Sequence, residues 1–255
     1  MIRAVLFDVG GTLHEVHRDP ALETTFCAQV LEKLSSGGIS LPVTPQEMML
    51  LLRQNAEEYK HWSEQSQVEL PASRIWSEYY LRQFGISEAL LAPIAEELSL
   101  WYDSRRACNV PRPHMQETIF RLRDMGMVLG VISNMISQTF VPGLMEDYGI
   151  APCLSCVIVS ATAGIRKPSP AIFQMAAEAC GVPCGEMAYV GDTLSRDVLG
   201  CRNAGVALSI QIRNPDMAHR DAAFVNTGLA PDALIEDLAE IPGIVQSYNA
   251  RCAAL

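Results

Sequence analysis

The chain has 255 residues and a mass of 27.9 kDa, enough for one large domain or for a core that carries an insertion. With 49% hydrophobic and 19% charged residues, 17 Gly and 15 Pro, it has ordinary globular composition, which excludes a disordered chain, collagen and a coiled coil. Asp plus Glu (29) outnumber Lys plus Arg (19). The net charge of −10 repels phosphate backbones and anionic membranes, so neither nucleic acid nor membrane is an expected partner. A small anionic ligand is not excluded, because a bound metal ion reverses the sign of the field at one site.

The first element is a buried strand at 4–8, Ala-Val-Leu-Phe-Asp, ended by Gly10-Gly11. It is too short for the core of a signal peptide. From about 21 to 105 the pattern is helical. Leu22, Phe26 and Val30 recur at four-residue spacing. Thr44-Pro45-Gln46-Glu47 is a capping box with proline at the first helical position, and opens a helix to about Trp62. A third helix is expected over 72–84, stopped by Gly85. A fourth carries Leu90, Ile94, Leu98 and Trp101 on one face. Tyr59, Trp62, Tyr79, Tyr80 and Trp101 belong to the core of such a bundle.

Residues 109–113 (Asn-Val-Pro-Arg-Pro) read as a connector. Helix and strand then alternate: helix 114–124, strand 128–132, helix 137–147, strand 156–159, helix 170–180, strand 187–190, helix 194–203 and strand 206–210. Such alternation predicts a parallel sheet covered on both faces. The expected architecture is α/β, a Rossmann-like core from 1–14 plus 109–255 with a helical cap, 15–108, inserted after the first strand. The uncharged run 125–145 is broken by Gly126, Gly130 and Pro142, so it reads as strand–turn–helix and not as a membrane span. The eight cysteines are scattered. Cys153 and Cys156 are the one close pair, and nothing completes a zinc site, so reduced thiols in a cytoplasmic protein are expected.

Polar residues stand at the ends of four predicted strands: Asp8-Val9-Gly10-Gly11-Thr12, Ser133-Asn134, Lys167 in Arg166-Lys167-Pro168, and Gly191-Asp192-Thr193 followed by Asp197. Ligands of parallel sheets bind outside the carboxyl ends of the strands, so these four would converge. In this combination and order the sequence resembles the haloacid dehalogenase superfamily, most of whose members are phosphatases. The resemblance implies Asp8 as a nucleophile that forms an aspartyl-phosphate, later hydrolysed by water. It implies Mg²⁺ on Asp8, Asp192 and the carbonyl of Gly10, with Asp197 supporting the metal or its waters. Lys167 would balance carboxylates and phosphate as a compact cation, Ser133 and Thr12 would hydrogen-bond phosphoryl oxygens, and Asn134 would contact the substrate.

One position departs from the pattern. Phosphatases of this kind carry a second Asp two residues after the nucleophile, where it protonates the leaving oxygen and later activates water. Gly10 stands there and does neither. The expected substrate is therefore a small phosphorylated metabolite with a good leaving group, or one for which substrate or water supplies the proton. Phosphonate cleavage, which requires a cap lysine (Lys33 or Lys60), dehalogenation at carbon, and ligand binding with little turnover are the alternatives. The Asp-Val-Gly-Gly-Thr opening also resembles that of actin-like sugar kinases, but no second such loop follows. A positive φ at Gly10 would make the missing acid costly to install. His14, His17 and Arg18 lie beyond the first motif as candidate substrate contacts or solvated hinge residues.

Overall fold

The structure, a computed structural model, describes residues 1–224 and 226–254. Its strands are β1 (Ala4–Phe7), β2 (His14–Arg18), β3 (Ala107–Pro111), β4 (Val128–Ser133), β5 (Cys156–Val159), β6 (Met187–Gly191), β7 (Leu208–Ile212) and β8 (Ala233–Ile235). Six of them form one parallel sheet in the order β5-β4-β1-β6-β7-β8. The short apolar run of β1 becomes the central strand because all four of its residues are buried. Val5 and Phe7 face a core with Ile119 and Leu122 of the helix Met115–Asp124 and Val245 of the helix Ile241–Ala253. Ala4 and Leu6 face Ile172 and Phe173 of the helix Pro170–Cys180 on the other side.

The Rossmann-like α/β architecture is as expected; several details differ. The strand expected at 206–210 begins two residues later. Gly205 takes a left-handed φ of 69°, and the amides of Val206 and Ala207 turn back to the carbonyls of Cys201 and Cys184 before the ladder starts. Strand β8 and the final helix had no periodic pattern to announce them. Cys153 and Cys156 are unpaired, and all eight cysteines are free. No helix among the described residues is long and apolar enough to cross a membrane.

Between β2 and β3 the chain is helical, with its own core around Phe26, Val30, Met48, Leu52, Trp76 and Leu98. The helix at Thr44 starts on the capping box and runs on to Ser66. Leu22 and Leu90 are exposed, not core. The expected fourth helix breaks into Glu88–Leu91 and Ala95–Arg105 around Pro93, which lacks a backbone donor and turns Leu91 inward in place of Leu90. The third winds from a single α-turn into a wider π-type turn, Ile75–Tyr80. That register buries Trp76, whose indole N–H donates to Ser99 Oγ at 3.0 Å, while Tyr79 stays half-buried.

The junctions are not plain linkers. β2 and β3 pair as an antiparallel ribbon, His14 opposite Pro111 and Arg18 opposite Ala107. The segment expected to be helical from 15, and the connector at 109–113, are thus largely extended at this end. In His-Glu-Val-His-Arg only His14 is buried and the residues after it are progressively exposed, so the strand shows no two-residue alternation and is held by its pairing with β3. Far from the ribbon a second tie holds the helical segment to the sheet. Val68 bridges Ile165, Glu69 N–H donates to the Gly164 carbonyl and Arg166 N–H to the Gln67 carbonyl, each at 3.0 Å. The buried Glu69 carboxylate takes the Arg166 guanidinium, the Tyr59 hydroxyl and Ser160 Oγ. Glu69→Ala strands the Arg166 charge in a dry site and is expected to cost about 3–5 kcal/mol in urea unfolding. A cost below about 1 kcal/mol would show that Arg166 finds water instead.

Candidate active site

Parallel pairing of β1 with β4 on one side and β6 on the other brings three strand ends to one edge. Asp8 follows β1, with its N–H donated to the Val190 carbonyl at 2.8 Å. Ser133 ends β4, Asp192 follows β6, and Thr12 closes the turn after Asp8; all four are buried.

Lys167 is the centre of the arrangement and is 1% exposed. Its ammonium donates to Asp8 Oδ1, Asp197 Oδ1 and the Tyr189 hydroxyl, each at 2.7 Å. An ammonium has three N–H groups, and all three are matched. Tyr189 in turn donates to the Ile132 carbonyl at 3.1 Å. Burial disfavours the charge on Lys167, but Asp197 and Asp8 outweigh it and hold the lysine above its usual range. The loop is fixed by Asn134, whose carboxamide accepts from Lys167 N–H (2.9 Å) and donates to its carbonyl (3.0 Å). Asn134, expected to contact substrate, is thereby committed to positioning Lys167. A bond between partners 33 residues apart has no local sequence signature.

Asp197 is the most satisfied carboxylate. Oδ1 accepts from Lys167, and Oδ2 accepts from Thr193 N–H (3.0 Å) and Thr193 Oγ1 (2.6 Å). Burial opposes its charge, but Lys167 and Arg196 prevail and hold it below the usual carboxylate range. Both of its oxygens are engaged, which suits the supporting place expected for it and makes it a partner of Lys167 as well. Asp192 differs. Oδ2 accepts from Asn214 Nδ2 at 2.7 Å, but Oδ1 is buried with no hydrogen-bond partner, and its nearest cation, Arg196 Nη2, is 3.7 Å away. Burial, with the charges of Asp8 and Asp197, pushes the Asp192 carboxyl up to about 7. Burial also raises Asp8, against the pull of Lys167; Asp8 Oδ2 has only Thr12 Oγ1, at 3.5 Å.

One ligand oxygen from each of Asp8, Asp192 and Asp197 lies within 4.8 Å of the others. Three buried carboxylates beside the buried Lys167 and the half-buried Arg196 leave negative charge over, and Asp192 Oδ1 is a donor atom without a partner. This set suits a hard divalent cation. The first-motif backbone is shaped to it: a Cβ on Gly11 would lie 2.1 Å from Asp192 Oδ2, and Gly11 holds the left-handed φ of 87°. The strain expected at Gly10 is therefore at Gly11. A Cβ on Gly10 meets Met135 Cε (3.5 Å), His14 Nε2 (3.8 Å) and Val16 Cγ2 (4.0 Å), which are ordinary contacts.

His14 is buried, not a solvated hinge residue, and its Nδ1 is 3.1 Å from the Tyr148 hydroxyl. Burial, helped by Arg112, lowers it to about 4 and keeps the imidazole neutral. His17 is exposed beside Glu15. Lys33 pairs with Glu97 at 2.6 Å, whereas Lys60 and Arg18 line a cavity of about 400 Å³ that reaches Asn134 and Arg196. Sequence reasoning missed Tyr189, Arg196, Asn214 and Arg112, whose Nη2 clasps the Gly11 carbonyl at 2.9 Å. Only Arg196 had a readable signal, a cation four residues after Asp192, in the helical turn that follows it.

The description haloacid dehalogenase-like hydrolase matches residues 2–205. A glyceraldehyde 3-phosphate phosphatase of Methanopyrus kandleri is 27% identical over 252 residues, 96% of this chain and 98% of its own. A phosphoserine phosphatase of Thermus thermophilus is 31% identical over 196 residues, 71% of each chain. In fold the chain is similar to a 2-haloacid dehalogenase from Pseudomonas syringae, with a TM-score of 0.66 at 22% identity over 97% of this chain and 100% of that one.

The Gly11 geometry is directly testable. Gly11→Ala should lose about 1–3 kcal/mol from backbone strain alone and displace Asp192. A melting temperature equal to that of the wild type would show that the turn re-forms without the left-handed residue.

Proposed function

The chain belongs to the haloacid dehalogenase-like hydrolases, and we propose that it is a Mg²⁺-dependent phosphatase of a small phosphorylated metabolite, working through an aspartyl-phosphate on Asp8. The observation that carries this reading is the unpartnered, buried Asp192 Oδ1, on a carboxylate that clusters with those of Asp8 and Asp197. Asp8, Asp192 and the Gly10 carbonyl would hold the ion, with Asp197 behind them. When bound, Mg²⁺ supplies positive charge against the phosphoryl oxygens.

The chain's own groups account for the rest. The Asp8 carboxylate forms a bond to phosphorus while the bond from phosphorus to the leaving oxygen breaks, and that oxygen takes up a proton from solvent water. Water then attacks the phosphorus of the aspartyl-phosphate, releasing phosphate and restoring Asp8. Lys167 orients Asp8 and offsets charge throughout. Ser133 and Thr12 hydroxyls, at the two loops that flank the nucleophile, hydrogen-bond the phosphoryl oxygens. The helical segment between β2 and β3 serves as the cap that excludes water, with Glu69, Glu96 and Asp103 tying it to the loops after β4 and β5. Eight free thiols fit a reducing, cytoplasmic setting.

Asp8→Asn should abolish phosphate release from p-nitrophenyl phosphate, and chelation of the wild type should do the same, reversed by added Mg²⁺. Persistent turnover in the mutant would take Asp8 out of the mechanism.

No carboxyl group is among the nearest neighbours of a Cβ at position 10: Met135 lies nearest, and the neutral His14 is the nearest polar side chain. The expected result is a steep dependence of kcat/KM on leaving-group pKa across aryl and alkyl phosphates. Gly10→Asp, which the local contacts admit, should raise alkyl substrates over aryl ones by up to about 10²–10⁴-fold. A flat wild-type series would mean that another proton donor already serves the leaving oxygen.

A further inference from the structure

The cavity that reaches Asn134 and Arg196 carries a charge opposite to that of the protein. On a chain of net charge −10, six cationic side chains converge on it: Arg18, Arg53, Lys60, Arg106, Arg166 and Arg196. Two acidic side chains share the lining, Glu57 and Asp103. Glu57 is 65% exposed at its side chain, and burial pushes Asp103 up to about 7. The cations are not all free. Arg166 is neutralised by Glu69, Arg53 donates to Glu23, and Arg196 faces Asp192.

Three remain without a close ion pair. Arg18, on β2, makes no side-chain ion pair among the described residues and opens on the cavity. Lys60 has Glu57 no nearer than 3.9 Å. Arg106 lays its guanidinium over the Tyr102 ring at 3.4 Å and gives Nε to the Tyr102 carbonyl. Lys167 and the carboxylate cluster are not in its lining, which reaches their surroundings only through Asn134 and Arg196, so these three are surplus to what a phosphoryl group on Asp8 requires. Guanidinium and ammonium groups around a concave, partly dehydrated space are stabilised by an anion placed among them.

We propose that the substrate carries a second anionic group, which Arg18, Lys60 and Arg106 bind in this cavity while its phosphoryl group lies at Asp8. The proposal rests on the phosphatase reading only for the position of the phosphoryl end. A carboxylate and a second phosphate share the required chemistry, and cavity size admits either. A monoanionic or neutral remainder distinguishes substrates by the charge-assisted bonds it can or cannot accept, which for one such group amounts to about tenfold or more in affinity.

The test uses full-length protein with Asp8→Asn, in Mg²⁺, titrated calorimetrically with the phosphate ester of glycolic acid and, separately, with its uncharged primary amide. The acid is expected to bind at least about tenfold more tightly. Arg18→Gln and Lys60→Gln should each weaken the acid severalfold and leave the amide unchanged; Arg18 is exposed, so its replacement does not threaten folding. The bisphosphate of ethane-1,2-diol, compared with its monophosphate, should show the same preference if a second phosphate is the anion. Equal affinities within both pairs, or variants that weaken charged and uncharged ligands alike, overturn the proposal. Turnover of p-nitrophenyl phosphate by the wild type is measured in parallel. A protein that prefers the doubly anionic ligands but releases no phosphate refutes the phosphatase reading and sustains this one.

Discussion

A buried ammonium is tolerated only where every N–H finds an acceptor and opposite charge lies close by. Lys167 meets both conditions through Asp8, Asp197 and Tyr189, and these come from the turn after β1, the helical turn after β6 and β6 itself. The parallel pairing of β1 with β6 is what brings these acceptors around one point. The need propagates outward. Asn134 must hold the Lys167 backbone, and Gly191 must lack a side chain, because a Cβ there would lie 2.3 Å from Asp197 Cγ. Gly200 must likewise let the helix after Asp197 close on Phe173 and Pro168. The packing of the sheet's carboxyl edge is thus set by the solvation of one side chain.

The same edge is left short of positive charge. Lys167 and Arg196 do not balance Asp8, Asp192 and Asp197, and burial raises the proton affinity of Asp8 and Asp192. A fold selected for stability alone would replace such a cluster with apolar groups or pair every oxygen. Asp192 Oδ1 instead faces the interior unpaired while Asn214 pins its partner oxygen. Local instability of this type is what a site for a hard cation and a phosphoryl group looks like before either arrives.

Much of this was legible in the sequence because it is local. The apolar run 4–7, the strands ending at Ser133 and Gly191, and the capping box at Thr44 are patterns within a few residues. So are the acids and the lysine at the strand ends. What was not legible depends on partners far apart in sequence. Tyr189 reads as one more residue of a buried strand until Lys167 arrives, and Asn134 reads as a substrate contact until the loop 33 residues later folds onto it. The β2–β3 ribbon was hidden because His14–Arg18 is short, half-exposed, and followed at once by a helix capped by Asp19. Leu90 was misplaced because helical periodicity assumes an unbroken helix, and Pro93 ends one.

Gly10 poses the remaining question, whether backbone geometry or chemistry excludes the acid. Geometry does not: the left-handed residue is Gly11, and a Cβ at position 10 has room against Met135, His14 and Val16. What the absence changes is the electrostatics of the neighbourhood. A further carboxylate there would add to three that already compete for two cations. A general acid and a set of fixed cations act in the same sense on a departing oxyanion, the first by giving it a proton and the second by stabilising its charge. Arg18 and Arg106 line a cavity whose walls also include Met135, the side chain in contact with the vacant position. That lining includes none of Asp8, Lys167, Asp192 or Asp197, so its cations serve the remainder of the substrate and do not stand in for the proton donor. The leaving oxygen must then depart with little protonation, and the absent acid narrows the substrates to those whose leaving group tolerates it.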